Sequence, residues 1–334
     1  MPKEVKILDC TLRDGSYAID FQFSAQNTFE ICQALSKAGF EYIEVGHGFG
    51  LGATEAGKGR AKESDQAYIE AAKQGSLNKA KVGMFFIPGI GQKEHLKLAK
   101  ENGLDFVRIG LNADQILNAK DYVDYAGELG LEIHLNLMKT YTLNNQEFLD
   151  KIKKMKHWNL QFLTVVDSAG CMLPQEVQDY IEILKDHLSF KIGFHGHNNL
   201  QLAVANALGA IEGGCDIIDT CLMGMGRSAG NTQTEIMVLL FNKLGIPHNI
   251  DVFAAMDAGK NLVMPLMKNP QGVNDIDAAA GFAKFHSSFL GLLQKAAQTY
   301  NVDLRKLIIN VCQKDIISPS QEIVNEEANK LANQ

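Results

Sequence analysis

Paired cysteines, basic clusters and long apolar runs are scarce in this chain of 334 residues. Its six cysteines include no C-x-x-C pair, and a chain of this length does not depend on a disulfide scaffold, so we expect free thiols. No apolar run approaches the roughly 18 residues of a membrane span, and no basic, then apolar, signal segment follows Met1. The net charge of −7 gives no electrostatic reason to bind nucleic acid. We therefore expect a cytoplasmic protein with neither a membrane nor a nucleic-acid partner.

Short apolar runs alternate with amphipathic helix patterns along most of the chain. The runs occupy residues 5–8, 42–45, 82–87, 106–111, 132–138, 162–166, 192–194 and 217–222. Eight strands that alternate with helices predict an α/β fold of the (β/α)₈ TIM-barrel type. An open doubly wound sheet is the alternative. We favour the barrel because polar residues follow several different strands, and barrels place their sites at that edge.

The pattern changes after about residue 242, where prolines interrupt it and further helical stretches follow. Helices are expected at residues 285–300 and 303–312, and the polar segment 321–334 is expected to fray. The sequence therefore predicts a TIM-barrel catalytic domain over residues 1–242. A helical C-terminal extension should follow over residues 243–334.

Two histidines directly after an apolar run are the most informative feature of the chain. His195 and His197 are spaced i, i+2, so on a strand both side chains point to the same face. Near the other end of the chain, the first strand leads into Asp14, which supplies a carboxylate. Asp14, His195 and His197 together predict a divalent metal site. Two imidazoles and one carboxylate leave coordination positions open, which suits Mn²⁺, Mg²⁺ or Co²⁺ with a chelating oxygen substrate.

Two further polar residues lie near this predicted site. Arg13 would place a permanent cation where an anionic oxygen develops in a transition state, although a plain ion pair with Asp14 is the simpler interpretation. His47 follows the second strand among glycines. It lines the substrate pocket or merely caps its strand.

Several motifs together resemble one enzyme superfamily. Residues 9–15, D-C-T-L-R-D-G, resemble the D-x-T-L-R-D-G signature of the metal-dependent pyruvate aldolases and acyl-condensing lyases, and residues 193–199 resemble the metal strand of that superfamily. Within the superfamily the chain resembles the 4-hydroxy-2-oxovalerate aldolases most. The supporting motifs lie at residues 43–48, 88–91, 167–170, 224–231 and 286–290.

The resemblance implies a class II aldolase. Its divalent metal, Mn²⁺ foremost, would be held by Asp14, His195 and His197 and would bind the carboxylate and keto oxygens of a 4-hydroxy-2-oxo acid. Cleavage of the C3–C4 bond would release an aldehyde and leave a pyruvate enolate, whose charge the metal and Arg13 would share. Ser168 would hydrogen-bond the acid end of the substrate.

Phe85 and Ile87 match wall positions that would size the aldehyde pocket, and plain barrel core is an equally good interpretation of both. One departure from the aldolase pattern is serious. Tyr17 stands where these aldolases carry the histidine that takes the C4 hydroxyl proton, and His286 stands where they carry a tyrosine. We hypothesise that the two side chains still meet over the substrate and that His286 is the base. Imidazole titrates near neutral pH and a phenol does not.

Other functions remain open at this point. An acyl-CoA and 2-oxo acid condensing enzyme of the same superfamily is the first alternative, although no acyl-CoA-binding extension is evident. A non-enzymatic scaffold is the second, and the retained metal and arginine residues argue against it. The resemblance also implies an acylating aldehyde dehydrogenase as a possible partner that consumes the aldehyde, and an oligomer is expected.

Overall fold

The computed structural model describes residues 3–333 and contains a closed barrel of eight parallel strands. The strands are β1 (Lys6–Asp9), β2 (Tyr42–Val45), β3 (Lys81–Phe86), β4 (Phe106–Asn112), β5 (Glu132–Met138), β6 (Phe162–Asp167), β7 (Lys191–Gly196) and β8 (Ile217–Thr220). Each strand pairs with the next in the chain, and β8 closes the barrel by pairing with β1. The predicted TIM barrel is therefore confirmed and the open sheet is excluded.

Helices surround the barrel and continue beyond it. Those between or directly after the strands are α1 (Ala25–Ala38), α2 (Asp65–Gly75), α3 (Lys93–Glu101), α4 (Lys120–Glu128), α5 (Asn145–Met155), α6 (Pro174–His187), α7 (Ala203–Glu212) and α8 (Thr234–Leu244). Later helices are α9 (Val252–Ala258), α10 (Asp275–Phe282), α11 (Leu290–Tyr300), α12 (Leu304–Cys312) and α13 (Gln321–Ala332). Among residues 3–333, none of these helices is long and apolar enough to cross a membrane.

Local sequence signals explain where the first helix begins and ends. The Ser24 side chain accepts a hydrogen bond from the Asn27 N–H, which satisfies one of the unpaired donors in the first turn of α1. Gly39 ends the helix with a φ of 99°, a conformation that costs glycine little. The face between these caps buries Ile31 and Leu35 completely against the barrel.

Aromatic side chains close the barrel interior near the amino-terminal ends of the strands. The His134 ring stacks on Phe106 with centroids 4.7 Å apart and lies 4.6 Å from the ring of Phe162. Tyr42 packs edge-on against both phenylalanines. This layer is a packed floor, so a substrate can approach only from the opposite end.

The residues after the barrel divide between two hydrophobic cores. Val252, Ala255 and Val263 belong to the barrel core, whereas a separate core joins α10 to α13. The predicted domain boundary after residue 242 falls inside α8 and stays a prediction. The distribution of core residues favours a division after Val263.

Two details of the extension differ from the predictions. The terminal segment that was expected to fray forms α13, because Val324 and Ala328 are fully buried in the second core. The helix predicted from residue 285 begins only at Leu290, because His286 caps a short 3₁₀ turn over Ser287–Phe289. All six cysteines are unpaired and buried, which agrees with the expectation of free thiols.

The extension packs over the carboxyl end of the barrel. The Lys139 ammonium group donates to the carbonyl oxygen of Ile317 at 2.7 Å, and the Ser228 hydroxyl donates to the Asp277 carboxylate at 2.5 Å. The Asn199 amide also donates to the carbonyl oxygen of Asp277 at 3.1 Å. These bonds seat α10 and the segment before α13 on loops that follow β5, β7 and β8.

Candidate active site

A cavity of about 910 Å³ opens at the carboxyl end of the barrel. Strand ends and the loops after them supply one side of its lining, including Arg13, Asp14 and Ser168. The extension supplies the other side, including His286 and Ser287. Active sites of TIM barrels lie at this end of the strands.

The three predicted metal ligands lie together inside this cavity. One ligand atom from each of Asp14, His195 and His197 lies within 4.8 Å of the other two, and all three side chains are buried. The His197 Nδ1 atom is buried without a hydrogen-bond partner in the described part of the chain. An orphaned, buried ring nitrogen on one residue of this cluster fits a divalent cation, because burial of an unsatisfied polar atom is otherwise costly.

The protonation states of these residues suit a cation as well. Burial alone would raise the pKa of the Asp14 carboxyl, but Arg13 and the two imidazoles hold that pKa well below its ordinary range. Burial and the Arg227 guanidinium lower the pKa of His197 well below its ordinary value. A charged carboxylate and a neutral imidazole are the forms that coordinate metals.

His195 is oriented from behind by a second carboxylate. Its Nδ1 lies 3.0 Å from Asp219 Oδ2, while its Nε2 lies 3.7 Å from Asp14 Oδ2. Burial alone would raise the pKa of the Asp219 carboxyl, but Arg108 and His195 outweigh that effect and lower the pKa, so the carboxylate is charged. The charged carboxylate draws the ring proton to Nδ1 and leaves the Nε2 lone pair directed at Asp14.

A second group of possible ligands, Cys10, His195 and Asp219, also lies close together. Burial raises the pKa of the Cys10 thiol well above its ordinary value, so the thiolate form is disfavoured. Asp219 already accepts hydrogen bonds from His195 and Arg108. The cluster around Asp14 is therefore the better cation site, and it contains no sulfur ligand.

Below the metal cluster, two arginines and three carboxylates form a continuous buried network. Fully buried Arg108 donates to Asp219 and, at 2.9 Å, to Glu44 Oε2. The same Glu44 oxygen accepts from Arg13 Nε at 2.8 Å, and Arg13 Nη1 is hydrogen-bonded to Asp14. Arg13 is therefore paired with Asp14, as the simpler interpretation held, and is also fixed in place by Glu44. Rigid placement of a guanidinium is what stabilisation of a developing oxyanion requires.

Glu44, Arg108 and Asp219 were not assigned roles from the sequence. A signal was nevertheless present, because each is a single charged residue inside a buried apolar strand. A charge in such a position must be paired, so a strand of this kind predicts a partner on another strand.

Phe85 and Ile87 both line the cavity, and their role in sizing the aldehyde pocket stays a prediction. The Arg13 guanidinium carbon lies 4.7 Å from the centre of the Phe85 ring. A cation over an aromatic face is attracted by the ring electrons. Phe85 therefore supports Arg13 from below in addition to forming part of the wall.

Tyr17 and His286 also line the same cavity. Tyr17 packs edge-on against Phe21 and Phe49, and its burial beside Asp14 raises the pKa of the hydroxyl well above its ordinary value. The Tyr17 hydroxyl is therefore protonated near neutral pH and can donate a hydrogen bond.

His286 is neutral, but its Nδ1 atom is already engaged by Ser288. Burial and the nearby cations Arg227 and Lys139 lower the pKa of His286 well below its ordinary value. Its Nδ1 accepts from the Ser288 N–H at 3.2 Å and lies 2.7 Å from the Ser288 hydroxyl oxygen. A backbone N–H can only donate, so the proton of the neutral ring is on Nε2. The ring must release Ser288 before Nδ1 can accept a proton from a substrate.

The assignment of His47 to substrate binding needs correction. The Phe49 N–H donates to Nδ1 at 3.1 Å, and Nε2 lies 3.1 Å from the carbonyl oxygen of Gly59. The ring also stacks on Phe21 at 3.8 Å, and the side chain is 1% exposed. Both nitrogens are engaged within the protein, so His47 fixes the loop over residues 47–59 and does not line the cavity.

Ser168 lies at the cavity, where its substrate-binding role stays a prediction, and its neighbours Lys139 and Arg227 were not assigned roles from the sequence. The Ser168 hydroxyl lines the cavity and accepts a hydrogen bond from the Lys139 N–H at 3.0 Å. Arg227 reaches the same place from the loop after β8 and donates to the carbonyl oxygen of Ser168 at 2.8 Å. The motif that contains Arg227 was noted in the sequence, but nothing in its spacing indicated where the side chain points.

Comparison with known proteins agrees with the motifs. The family model described as HMGL-like matches residues 4–262. The chain is 38% identical over 333 residues to a 4-hydroxy-2-oxovalerate aldolase of Geobacillus genomosp. 3, which covers 99% of this chain and 98% of that protein. It is 34% identical over 330 residues to a protein of the same name from Bacillus thuringiensis (strain Al Hakam), at 99% and 96% coverage.

Solved structures support the same relationship. The N-terminal domain of a putative aldolase from Bacteroides vulgatus superposes with a TM-score of 0.73 at 26% identity, over 89% of this chain and 98% of that one. The carboxyl transferase domain of Rhizobium etli pyruvate carboxylase has a TM-score of 0.78 at 16% identity, over 99% of this chain and 61% of that one, and shows the fold alone. On the family match and the full-length similarity, the chain belongs to the HMGL-like family.

Proposed function

We propose that the protein is a divalent-metal-dependent class II aldolase that cleaves or forms a 4-hydroxy-2-oxo acid, with pyruvate and an aldehyde as the other partners of the reaction. The observation that carries the proposal is the cluster of Asp14, His195 and His197 beside Arg13 in the barrel cavity. The names of its full-length relatives point to the same chemistry and to 4-hydroxy-2-oxovalerate as substrate.

The reaction breaks the C3–C4 bond and moves its electron pair into the 2-oxo acid half. A base removes the C4 hydroxyl proton, the aldehyde carbonyl forms and departs, and the pyruvate enolate then takes a proton at C3. A divalent cation supplies positive charge at the keto oxygen when it is bound. Arg13 adds a fixed guanidinium that Glu44 and Phe85 hold in position.

Asp14, His195 and His197 would hold the cation, and Ser168 would orient the acid end of the substrate. Nitrogen and oxygen ligands without a thiolate favour Mn²⁺, with Mg²⁺ and Co²⁺ as alternatives. Phe85 and Ile87 would limit the size of the aldehyde. These assignments follow from the resemblance and from the position of each residue at the cavity.

We assign the base to His286 and a hydrogen-bond donor role to Tyr17. The lowered pKa keeps the His286 ring neutral at physiological pH, which is the form that a base requires. Accepting the proton at Nδ1 requires the ring to give up its bond to Ser288. Loss of this single cap is a small rearrangement at the start of a short 3₁₀ turn.

Three further proposals follow from the family and concern the setting of the enzyme. We propose a cytoplasmic location, an oligomeric state and an acylating aldehyde dehydrogenase as the partner that consumes the aldehyde. The relatives of this chain carry the aldolase name, and an aldehyde product calls for a consuming enzyme.

The test is pyruvate release from a set of 4-hydroxy-2-oxo acids, with Mn²⁺ present and coenzyme A absent, followed by coupled reduction of pyruvate. Asp14→Asn should abolish turnover because it removes the carboxylate charge without changing the shape. Asp20→Asn is the matched control, since Asp20 faces the same cavity but is paired with exposed Lys268. Turnover that requires an acyl-CoA would instead establish the condensing alternative.

A further inference from the structure

Arg227 places an incompletely compensated cation beside the proposed metal ligands. Its Nη2 atom donates to the carbonyl oxygen of Ser168 at 2.8 Å and lies 3.2 Å from His197 Nε2, and its Nη1 atom donates to the Ser287 hydroxyl. All three partners are neutral. Among residues 3–333, no carboxylate oxygen lies within 4.0 Å of this guanidinium.

The contrast with the other arginines in the barrel is informative. Arg13 and Arg108 are each paired with two carboxylates. A guanidinium that is half-buried and meets only neutral acceptors retains its attraction for an anion. Arg227 therefore differs in kind from the structural arginines of the network.

The bond between Arg227 and His197 cannot coexist with coordination of His197. A neutral imidazole has one nitrogen lone pair and one N–H. If Nε2 coordinates a cation, its lone pair is used there. If Nδ1 coordinates, Nε2 carries the proton and cannot accept from Arg227. With either nitrogen, coordination leaves an Arg227 N–H without its acceptor.

We propose that Arg227 binds the carboxylate of the 2-oxo acid, and that this carboxylate replaces His197 as the acceptor when the cation site is filled. The inference rests on the proposed function. The position of Arg227 fits this role, because its Nη2 atom already contacts Ser168, the residue that would orient the acid end of the substrate. Two parallel N–H groups match the geometry of a carboxylate.

Opposite effects of Arg227→Met on the binding of Mn²⁺ and of pyruvate would distinguish this role from a structural one. Arg227→Met removes a positive charge from the neighbourhood of the cation and a competitor for the His197 lone pair, so Mn²⁺ should bind at least as tightly as in the wild type. Pyruvate binding to the Mn²⁺-loaded protein should weaken by about 10- to 100-fold, the value of a charge-assisted hydrogen bond. Arg227→Lys keeps the charge without the paired donors, so its pyruvate affinity should fall between those of the wild type and Arg227→Met.

The experiment uses the full chain, with Mn²⁺ binding measured by electron paramagnetic resonance and pyruvate binding by calorimetry. Pyruvamide is the neutral probe: its affinity should be nearly the same in the wild type and in Arg227→Met, because it carries no carboxylate. Arg305→Met is the matched control, since it removes an exposed guanidinium that is paired with Asp275 and Asp303 on the helical extension and does not line the cavity. It should change pyruvate affinity by less than threefold.

Several results would overturn the inference. The first is a pyruvate affinity of Arg227→Met that stays within twofold of wild type. The second is a loss of pyruvamide affinity equal to the loss of pyruvate affinity, and the third is weaker Mn²⁺ binding by Arg227→Met. The fourth is a defect of Arg227→Met in aldol addition that appears only with anionic aldehydes. A poorly folded Arg227→Met leaves the decision to Arg227→Lys. If the wild-type protein binds pyruvate but does not catalyse exchange of the pyruvate methyl protons in D₂O, the proposed aldolase activity alone is overturned. Comparison of pyruvate binding by the wild type and Arg227→Met would still decide the role of Arg227. Wild-type protein that does not bind pyruvate would overturn both.

Discussion

Replacement of Asp219 by asparagine tests whether the carboxylate behind His195 controls the cation site. Asp219 Oδ2 accepts hydrogen bonds from His195 Nδ1 at 3.0 Å and from Arg108. Asparagine keeps the shape but removes the charge that draws the ring proton to Nδ1. Metal affinity should fall by about 10- to 100-fold, as is typical when the partner of a ligating histidine is lost.

The same substitution should leave the protein folded. Arg108 keeps its 2.9 Å bond to Glu44, so the loss is that of one partner of a buried ion pair, roughly 3–5 kcal/mol. A typical domain has about 5–15 kcal/mol of stability, so most molecules remain native. A change in Mn²⁺ binding can therefore be separated from unfolding by a urea titration of the same sample.

Asp216→Asn is the matched control for this experiment. Asp216 directly precedes β8, but it lies at the opposite end of the barrel and pairs with Lys3 and Lys185 near the surface. Mn²⁺ titration by electron paramagnetic resonance should show an unchanged dissociation constant for this variant. Mn²⁺ affinity within twofold of wild type in Asp219→Asn, or an equal loss in Asp216→Asn, would refute the argument from the geometry of His195.

Three further predictions concern the base, the acid stability and the aldehyde wall. His286→Asn keeps an acceptor for the Ser288 N–H but cannot take a proton, so kcat should fall by about 10²–10⁴ while Mn²⁺ affinity is retained, and steady-state kinetics near wild type would exclude His286 as the base. Burial lowers the pKa of His134, so the unfolded chain binds more protons than the native protein below pH 6.5, and the free energy of unfolding should fall as the pH drops from 7 to 5. His134→Gln should reduce this change of unfolding free energy with pH by up to about 1.4 kcal/mol per pH unit in urea titrations. Equal slopes in the wild type and the variant would contradict the role given to His134. Phe85→Ala enlarges the cavity wall and should raise kcat/KM for longer aldehydes relative to acetaldehyde, and an unchanged ratio in competition assays would place Phe85 outside the aldehyde pocket.

The fold was predictable from the sequence because buried parallel strands are short, continuous apolar runs. The predicted run over residues 106–111, for example, corresponds to β4, which extends one residue further to Asn112. The cluster of Asp14, His195 and His197 was predictable for a related reason. His195 and His197 define their own geometry through strand periodicity, and Asp14 lies in a recognisable motif.

Other parts of the site depend on pairings between distant strands. Arg108 joins Glu44 to Asp219 across the barrel interior, and no local pattern states which charged residue meets which. The position of His47 depends on how its glycine-rich loop folds back to Gly59. Sequence shows that these residues are polar among apolar neighbours, but tertiary packing alone decides what they touch.

The short terminal helix illustrates the same limit for stability. α13 has few apolar residues, so its own sequence favours fraying. Val324 is fully buried because α11 and α12 provide a core for it to join. Helices of this length depend on packing more than on intrinsic propensity.

The division of the cavity between two hydrophobic cores has an evolutionary consequence. The barrel side carries the proposed cation ligands and the proposed aldehyde wall, whereas His286, the proposed base, belongs to a segment anchored in the separate core of α10–α13. Substitutions in that core can shift His286 within the cavity without loosening the strands that hold Asp14 and His195. Selection can therefore change the proton-accepting group in one half of the pocket while the cation ligands in the other half are inherited intact.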